Sequence, residues 1–412
     1  MAAKVGWAVA AAVAALAAEA GAQEWTRFRG PNGTGVSAAR GVPVQWGPSD
    51  YVWRVPIPGR GDAQPVLWGD RIFLPTASED GREWMLLCLR ASDGKELWAR
   101  KVPMPAYDKG RNPTYASSTP AVDKDRVYAL CASSAQFLVK AFDHEGKELW
   151  TVNLGPVKAQ HGQGGSPILY EGKLIVPNDQ DGESFVVALD VRTGRTVWRA
   201  PRRPKEQGAA YSTPCVLERK GFPPELLLTS EAHGISSLDP RTGAALWEAR
   251  VFDKRAVSSP VVADHLVFGT CGSGGGGMFL AAVKLGGRGD VTSTHQAYAV
   301  RTGAPYVPTP LAVGERLFTV SDNGVATCLE AATGRVIWSE RLGGAFYASP
   351  VWVEGKIYCP SKQGECAVWE AADAFKVVAR NPLGEGTHTP PAVSAGRLYF
   401  RTFTHLVCVG AK

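Results

Sequence analysis

Seven residues with side chains suited to recognition stand three to six positions ahead of a proline: Tyr115, His161, Tyr211, Arg255, Tyr306, Tyr347 and His388. Tyrosine and histidine offer an aromatic face with a polar tip, and arginine adds a cationic donor. Together such groups suit an anionic or sugar-like ligand, or a peptide segment of a partner. Taken singly, each of these rings is also the kind of group that caps a neighbouring backbone. Whether they converge depends on what the segments behind the prolines fold into.

Other chemistry is thinner. Asn178-Asp179-Gln180-Asp181-Gly182-Glu183 clusters oxygen donors around a glycine, so Asn178, Asp179 and Asp181 are the candidates for a metal. The run lacks the later Glu of a helix-loop-helix calcium site and reads as a solvated turn. Gly272 to Gly277 is followed neither by Lys-Ser/Thr nor by a helical pattern, so it is a hairpin loop rather than a phosphate cradle. No Cys-x-x-Cys or His-Glu-x-x-His zinc pattern occurs, and no catalytic residue can be singled out. Of eight cysteines, Cys88, Cys328 and Cys408 fall in the same slot of different repeats, where they cannot meet. Only Cys359 and Cys366, which flank the turn Ser361-Lys362-Gln363-Gly364, stand closely enough to face each other, which makes them the candidate pair for a disulfide.

The elements that must position these groups recur. Ala188 to Trp198 reads Ala-Leu-Asp-Val-Arg-Thr-Gly-Arg-Thr-Val-Trp, and Ser237 to Trp247 and Cys328 to Trp338 repeat it. Cys88 to Trp98 and Ala141 to Trp150 are degraded copies, and in all five the Trp stands four residues after the Gly. The pattern predicts a strand, a tight turn and a return strand: the acidic side chain bonds amides ahead of it, and Gly takes φ > 0 without a Cβ clash. Burying an indole removes about 150–250 Å² from water, on the order of 4–6 kcal/mol gross, which assigns these Trp residues to structure.

Each repeat opens with a proline, followed in seven of them, seven and eight residues on, by an apolar pair; the repeat after Pro214 is stretched by Arg219-Lys220-Gly221. The prolines are Pro65, Pro120, Pro167, Pro214, Pro260, Pro310, Pro350 and Pro391, at intervals of 55, 47, 47, 46, 50, 40 and 41 residues. That is the length of a four-stranded blade. After Pro391 only three strands remain, whereas Tyr51 to Pro56 is a strand without a blade. The prediction is an all-β, eight-bladed β-propeller of antiparallel blades closed by the N-terminal strand, which leaves no open edge. The repeat after Pro260 departs from the pattern, with Gly286-Gly287-Arg288-Gly289-Asp290 where turn and Trp belong.

The Ala-x-Asp-x-x-Thr-Gly-x-x-x-Trp unit resembles the tryptophan-docking motif of the bacterial quinoprotein-type propellers, the PQQ-like repeat family, and the resemblance covers nearly the whole mature chain, with residues 51–412 as the propeller. It implies that each Trp packs between neighbouring blades and that the strand opening each blade is innermost. The seven residues ahead of the prolines would then ring one mouth of the central channel. Similar alcohol dehydrogenases hold PQQ beside a calcium ion and many carry adjacent cysteines, but no two cysteines are adjacent here. The expectation is a non-catalytic scaffold, with no cofactor, for a small polar ligand or an envelope protein. The alternative is a PQQ- and calcium-dependent oxidoreductase acting on alcohols or sugars.

Met1 to Ala22 has one Lys, an Ala/Val-rich run and Ala20-Gly21-Ala22, and reads as a secretory signal cleaved near Ala22. Residues 23–50, opening with Trp25-Thr26-Arg27-Phe28-Arg29-Gly30, read as a tail packed on the body. Forty-five Lys and Arg against 39 Asp and Glu give a net charge of +6, interspersed along the chain, which does not imply nucleic acid. The one basic cluster, Arg199, Arg202, Arg203 and Lys205, reads as a solvated loop. A periplasmic or secreted monomer without a transmembrane span in the mature chain is expected.

Overall fold

The structure is a computed structural model that describes residues 25–105, 114–206 and 208–411. The sequence-predicted signal, residues 1–22, lies outside the described residues. The strands form eight sheets, one for each proline-opened repeat, and the first strand of each repeat is the innermost. The chain is thus an eight-bladed propeller.

The repeat unit shows why the blades stack. Ser184–Asp190 turns back into Thr196–Arg202. Asp190 Oδ1 accepts the amides of Arg192 at 3.1 Å and Thr193 at 2.9 Å, and Gly194 closes the turn at φ +72°. The same glycine is required sterically, since a Cβ there would lie 2.8 Å from Cε3 of Trp150 in the preceding blade. Trp150 Nε1 then donates to Val191 O at 3.1 Å. Trp53 on Ala91 O, Trp98 on His144 O and Trp198 on Pro240 O repeat the contact, each across one blade boundary. These indoles are structural latches, as the repeat implied.

Blade 5 replaces the motif. Its second and third strands, Leu266–Ser273 and Gly276–Lys284, lead to one helical turn, Thr292–His295, and then to the outer strand Gln296–Val300. With no glycine turn to receive it, Trp247 of blade 4 donates instead to Glu225 Oε2 of its own blade, at 2.6 Å. Gly289–Asp290 pair in parallel with Trp247 and Glu248 and cover that edge. Toward blade 6, Tyr298 substitutes for the missing Trp: its ring faces Gly334 and its hydroxyl donates to Ala331 O. The divergent blade therefore docks on both sides by different means.

Blade 8 consists of Ala392–Ser394, Arg397–Arg401, His405–Val409 and, from the other end of the chain, Tyr51–Pro56. Arg54 pairs with Val407 and Val55 with Leu406, antiparallel, which closes the ring.

Two expectations are corrected. All eight cysteines are free and buried. Cys359 lies opposite Ala367 and Cys366 opposite Pro360, so the two side chains leave opposite faces of the sheet and no bridge forms. The basic cluster is not a solvated loop: Arg202 ends a strand, is 6% exposed and pairs with Asp179 at 2.6 Å, while Arg203 pairs with Glu248.

Candidate functional site at the channel mouth

The hairpins that join second to third strands, and the connections ahead of the prolines, surround a cavity of about 840 Å³ at one end of the channel. Six of the seven sequence-derived residues line it: His161, Tyr211, Arg255, Tyr306, Tyr347 and His388. Tyr115 does not. Its ring packs beneath Gly81 and against the core between blades 1 and 2, because Gly81 has no side chain to keep it out.

The lining falls into two groups. In the first, the Tyr211 hydroxyl accepts the His161 amide at 3.1 Å, the two rings stand 6.0 Å apart, and Arg255 lies 5.7 Å from the Tyr211 ring centre. Arg255 Nη2 also donates to Gln160 Oε1 at 3.0 Å. Burial, helped by the Arg255 charge, holds the His161 imidazole below its usual value, and burial pushes Tyr211 up to about 12. At neutral pH this group therefore presents a neutral imidazole, a neutral phenol and a cation. In the second group, His388 lies between Tyr347, tilted at 5.0 Å, and Phe403, edge-on at 5.1 Å, its Nδ1 lies 3.3 Å from Asp62, and Lys362 Nζ sits 3.8 Å over the Tyr347 ring. Carboxylates are present too, but separately engaged. Glu231 faces Lys205 at 3.6 Å, and Asp253 faces the Cys271 thiol.

Two features were missed in the sequence. Asp322, in the turn Asp322-Asn323-Gly324, accepts the amides of Tyr306 at 2.7 Å and Val307 at 3.2 Å and so fixes the Tyr306 connection; burial raises its carboxyl above the ordinary range. Deeper in the channel runs a belt of hydroxyls contributed by the residue before six of the eight opening prolines. The Gln64 amide donates to Thr119 Oγ1, Thr119 to Ser166, Ser166 to Thr213, Thr213 to Ser259, Ser259 to Thr309 and Thr309 to Ser349. Pro390 breaks the belt, and there Gln64 Nε2 donates to Pro391 O at 2.8 Å instead. The signal was legible as a Ser-Pro or Thr-Pro dipeptide opening six of the repeats.

The floor is the tail. Phe28 reaches the cavity from below, while Arg27 and Arg29 are buried beneath the belt. Arg29 Nη2 donates to Pro310 O at 3.0 Å, and Arg27 Nη2 to Pro214 O at 2.6 Å. Desolvation lowers Arg29 to about 9 and Arg27 to about 10, so both stay charged at neutral pH.

Of the metal candidates, Asp179 is held by Arg202, Asp181 Oδ1 accepts the Ala209 amide at 3.0 Å, and Asn178 is buried in the strand Lys173–Asn178. No group of three His, Cys, Asp or Glu side chains among the described residues is placed to hold a metal.

A family model described as outer membrane protein assembly factor BamB matches residues 9–221, 186–284 and 235–377. The chain belongs to this BamB-like PQQ-repeat family. Among curated proteins it is similar to methanol dehydrogenase (cytochrome c) subunit 1 of Methylorubrum extorquens, 27% identical over 169 residues, which are 37% of this chain and 24% of that protein. Tetrathionate hydrolase of Acidithiobacillus ferrooxidans is 25% identical over 232 residues, 53% of this chain and 42% of that protein. The chain thus spans less than half the length of these relatives. Among solved structures, BamB from Moraxella catarrhalis superposes with a TM-score of 0.62 at 16% identity, covering 86% of this chain and 98% of that one. A europium-containing methanol dehydrogenase gives 0.67 at 13% identity, covering 94% and 92%. At such identities the likeness shows the PQQ-repeat fold alone. Of the carboxylates at this mouth, Asp62, Glu231 and Asp253 face His388, Lys205 and Cys271 respectively.

Proposed function

We propose that this propeller is a binding scaffold of the cell envelope, and that its channel mouth captures a small anionic or sugar-like ligand or a polypeptide segment of a partner. One observation carries the reading. Neutral aromatic rings and the cation Arg255 converge on one cavity of about 840 Å³, a size suited to ligand capture. Support for the envelope comes from the signal-like Met1 to Ala22 and from the family's description as an outer membrane protein assembly factor. No helix among the described residues is long and apolar enough to cross a membrane.

The second reading, an oxidoreductase, is favoured by the similarity to methanol dehydrogenase subunit 1. One pair of measurements separates them. The purified protein is titrated with PQQ and calcium, followed by absorption and by dye reduction over alcohols and sugars. In parallel, envelope proteins retained by the wild type are compared with those retained by the Arg255→Ala, Tyr347→Ala double variant. Retention that the variant loses supports the scaffold, whereas saturable quinone binding with turnover would replace it by the dehydrogenase reading.

A further inference from the structure

The tail crosses the opposite end of the channel and shows how the inner strands can be engaged there. At the second residue after each opening proline, the inner strand turns an amide toward the channel base. The tail meets four of these amides. Leu67 N donates to Trp25 O at 2.9 Å, Val122 N to Thr26 O at 2.9 Å, Val216 N to Asn32 Oδ1 at 3.1 Å and Trp352 N to Gly35 O at 2.8 Å. In blade 7 the contact becomes a short parallel pairing, Val36 with Trp352 and Ser37 with Val353. Inner strands at the base are thus already recognised by extended chain.

Among the described residues, the tail makes no such contact with blades 3, 5, 6 and 8, and of these only blades 5 and 6 present the amide into one shared cavity. The equivalent amides are those of Val262 and Ala312, and among the described residues neither has a hydrogen-bond partner. Both residues line a cavity of about 980 Å³ bounded on its other side by tail residues 36–40 and by Trp352. Around these unpaired amides the wall is apolar, with Val216, Leu217 and Val261 beside them. The groove is continuous with the paired tail strand, since Val36 and Ser37 belong to both.

We infer that this groove accepts an extended polypeptide segment of a partner protein, which adds as a strand to the inner edges of blades 5 and 6. Its carbonyls take the amides of Val262 and Ala312, and small or β-branched side chains at alternate positions fill the apolar wall. The inference is independent of the mouth, which lies at the other end of the channel.

The test uses the whole protein and a labelled synthetic peptide of tail residues 33–40, Gly-Thr-Gly-Val-Ser-Ala-Ala-Arg, the segment that pairs with blade 7. Fluorescence polarisation should show saturable binding, and hydrogen exchange should slow at Val262 and Ala312. Val262→Pro, which removes one donor on an edge strand, should weaken binding at least tenfold. Ala312→Trp fills the groove and should do the same, so it decides the matter if the proline variant fails to fold. Absence of saturable binding overturns the inference, as does binding indifferent to Ala312→Trp. Exchange protection that changes at Trp352 instead would mean that the peptide displaces the tail, and overturns it equally.

Discussion

The two ends of the channel are built on the same eight inner strands and use them differently. At the mouth, connections ahead of the prolines present side chains: His161, Tyr211 and Arg255 on one side, Tyr347 and His388 on another. At the base, the tail engages main chain, carbonyl to amide, and buries Arg27 and Arg29 against the carbonyls of Pro214, Pro310 and Pro350. The mouth can change its chemistry by changing loop residues without disturbing the sheets. The base cannot, because its contacts are part of what holds the blades in a ring. A concave rim on a rigid scaffold is a recognition surface, whereas a strap across inner strands is a structural one that leaves a gap at blades 5 and 6.

The largest effect expected from this contrast follows from removing residues 23–57, which takes away both the strap and the fourth strand of blade 8. The bare edge left at His405–Val409 should abolish cooperative melting or cause aggregation. A truncated protein that melts like the full chain would show that the base is dispensable. Next, Arg29→Ala should lower stability by about 2–4 kcal/mol, since it empties a buried site and strands the carbonyls of Pro310 and Pro350. Arg255→Ala at the mouth should change stability by less than about 0.5 kcal/mol. Denaturant titration of the two variants checks the ranking, and equal losses would erase the distinction.

An effect smaller than that of Arg29→Ala concerns acid. His233, near the mouth in blade 4, accepts the Arg203 amide on Nε2 at 3.0 Å, which only a neutral ring can do, and its Nδ1 faces Glu248 at 2.7 Å. Burial, reinforced by Arg202, holds it down to about 4. The unfolded chain takes up that proton near 6.5, so the contribution is full above pH 6.5 and is lost as pH falls toward 4, about 1–2 kcal/mol allowing for partial exposure. Melting curves from pH 7 to 4.5 should show the loss, and His233→Gln should flatten it. At the base, Arg27 and Arg29 titrate only near 10 and 9, so acid should leave that end unchanged.

The blade count and the closing strand were legible because each depends on a local pattern: a proline at fixed spacing, a Gly-to-Trp interval, a strand without a blade. The rim was legible as a set, since the prolines fix where those connections lie. Tyr115 was misread because its direction is set by the missing side chain of Gly81, more than thirty positions away. Cys359 and Cys366 were misread because a one-residue register difference reverses a side chain, and turn length alone does not reveal it. Nothing in Trp25 to Gly35 marks its two arginines as interior, since charge in a glycine-rich run ordinarily means solvent. Tyr298 escaped the motif because the helical turn at Thr292–His295 displaces it from the glycine spacing.

Blade 8 has a further consequence for how the molecule comes into being. Tyr51 pairs with Val409, so the contact that completes the ring joins segments from opposite ends of the sequence. During synthesis, seven blades can form in order while Tyr51–Pro56 waits without a partner and blade 1 keeps an uncovered flank. Only after Val409 is available can the circle be made, and the loop closed in that step is nearly the length of the whole chain. Completion therefore waits on the synthesis of blade 8, and the interval before it is when the nascent protein is most open to wrong pairing.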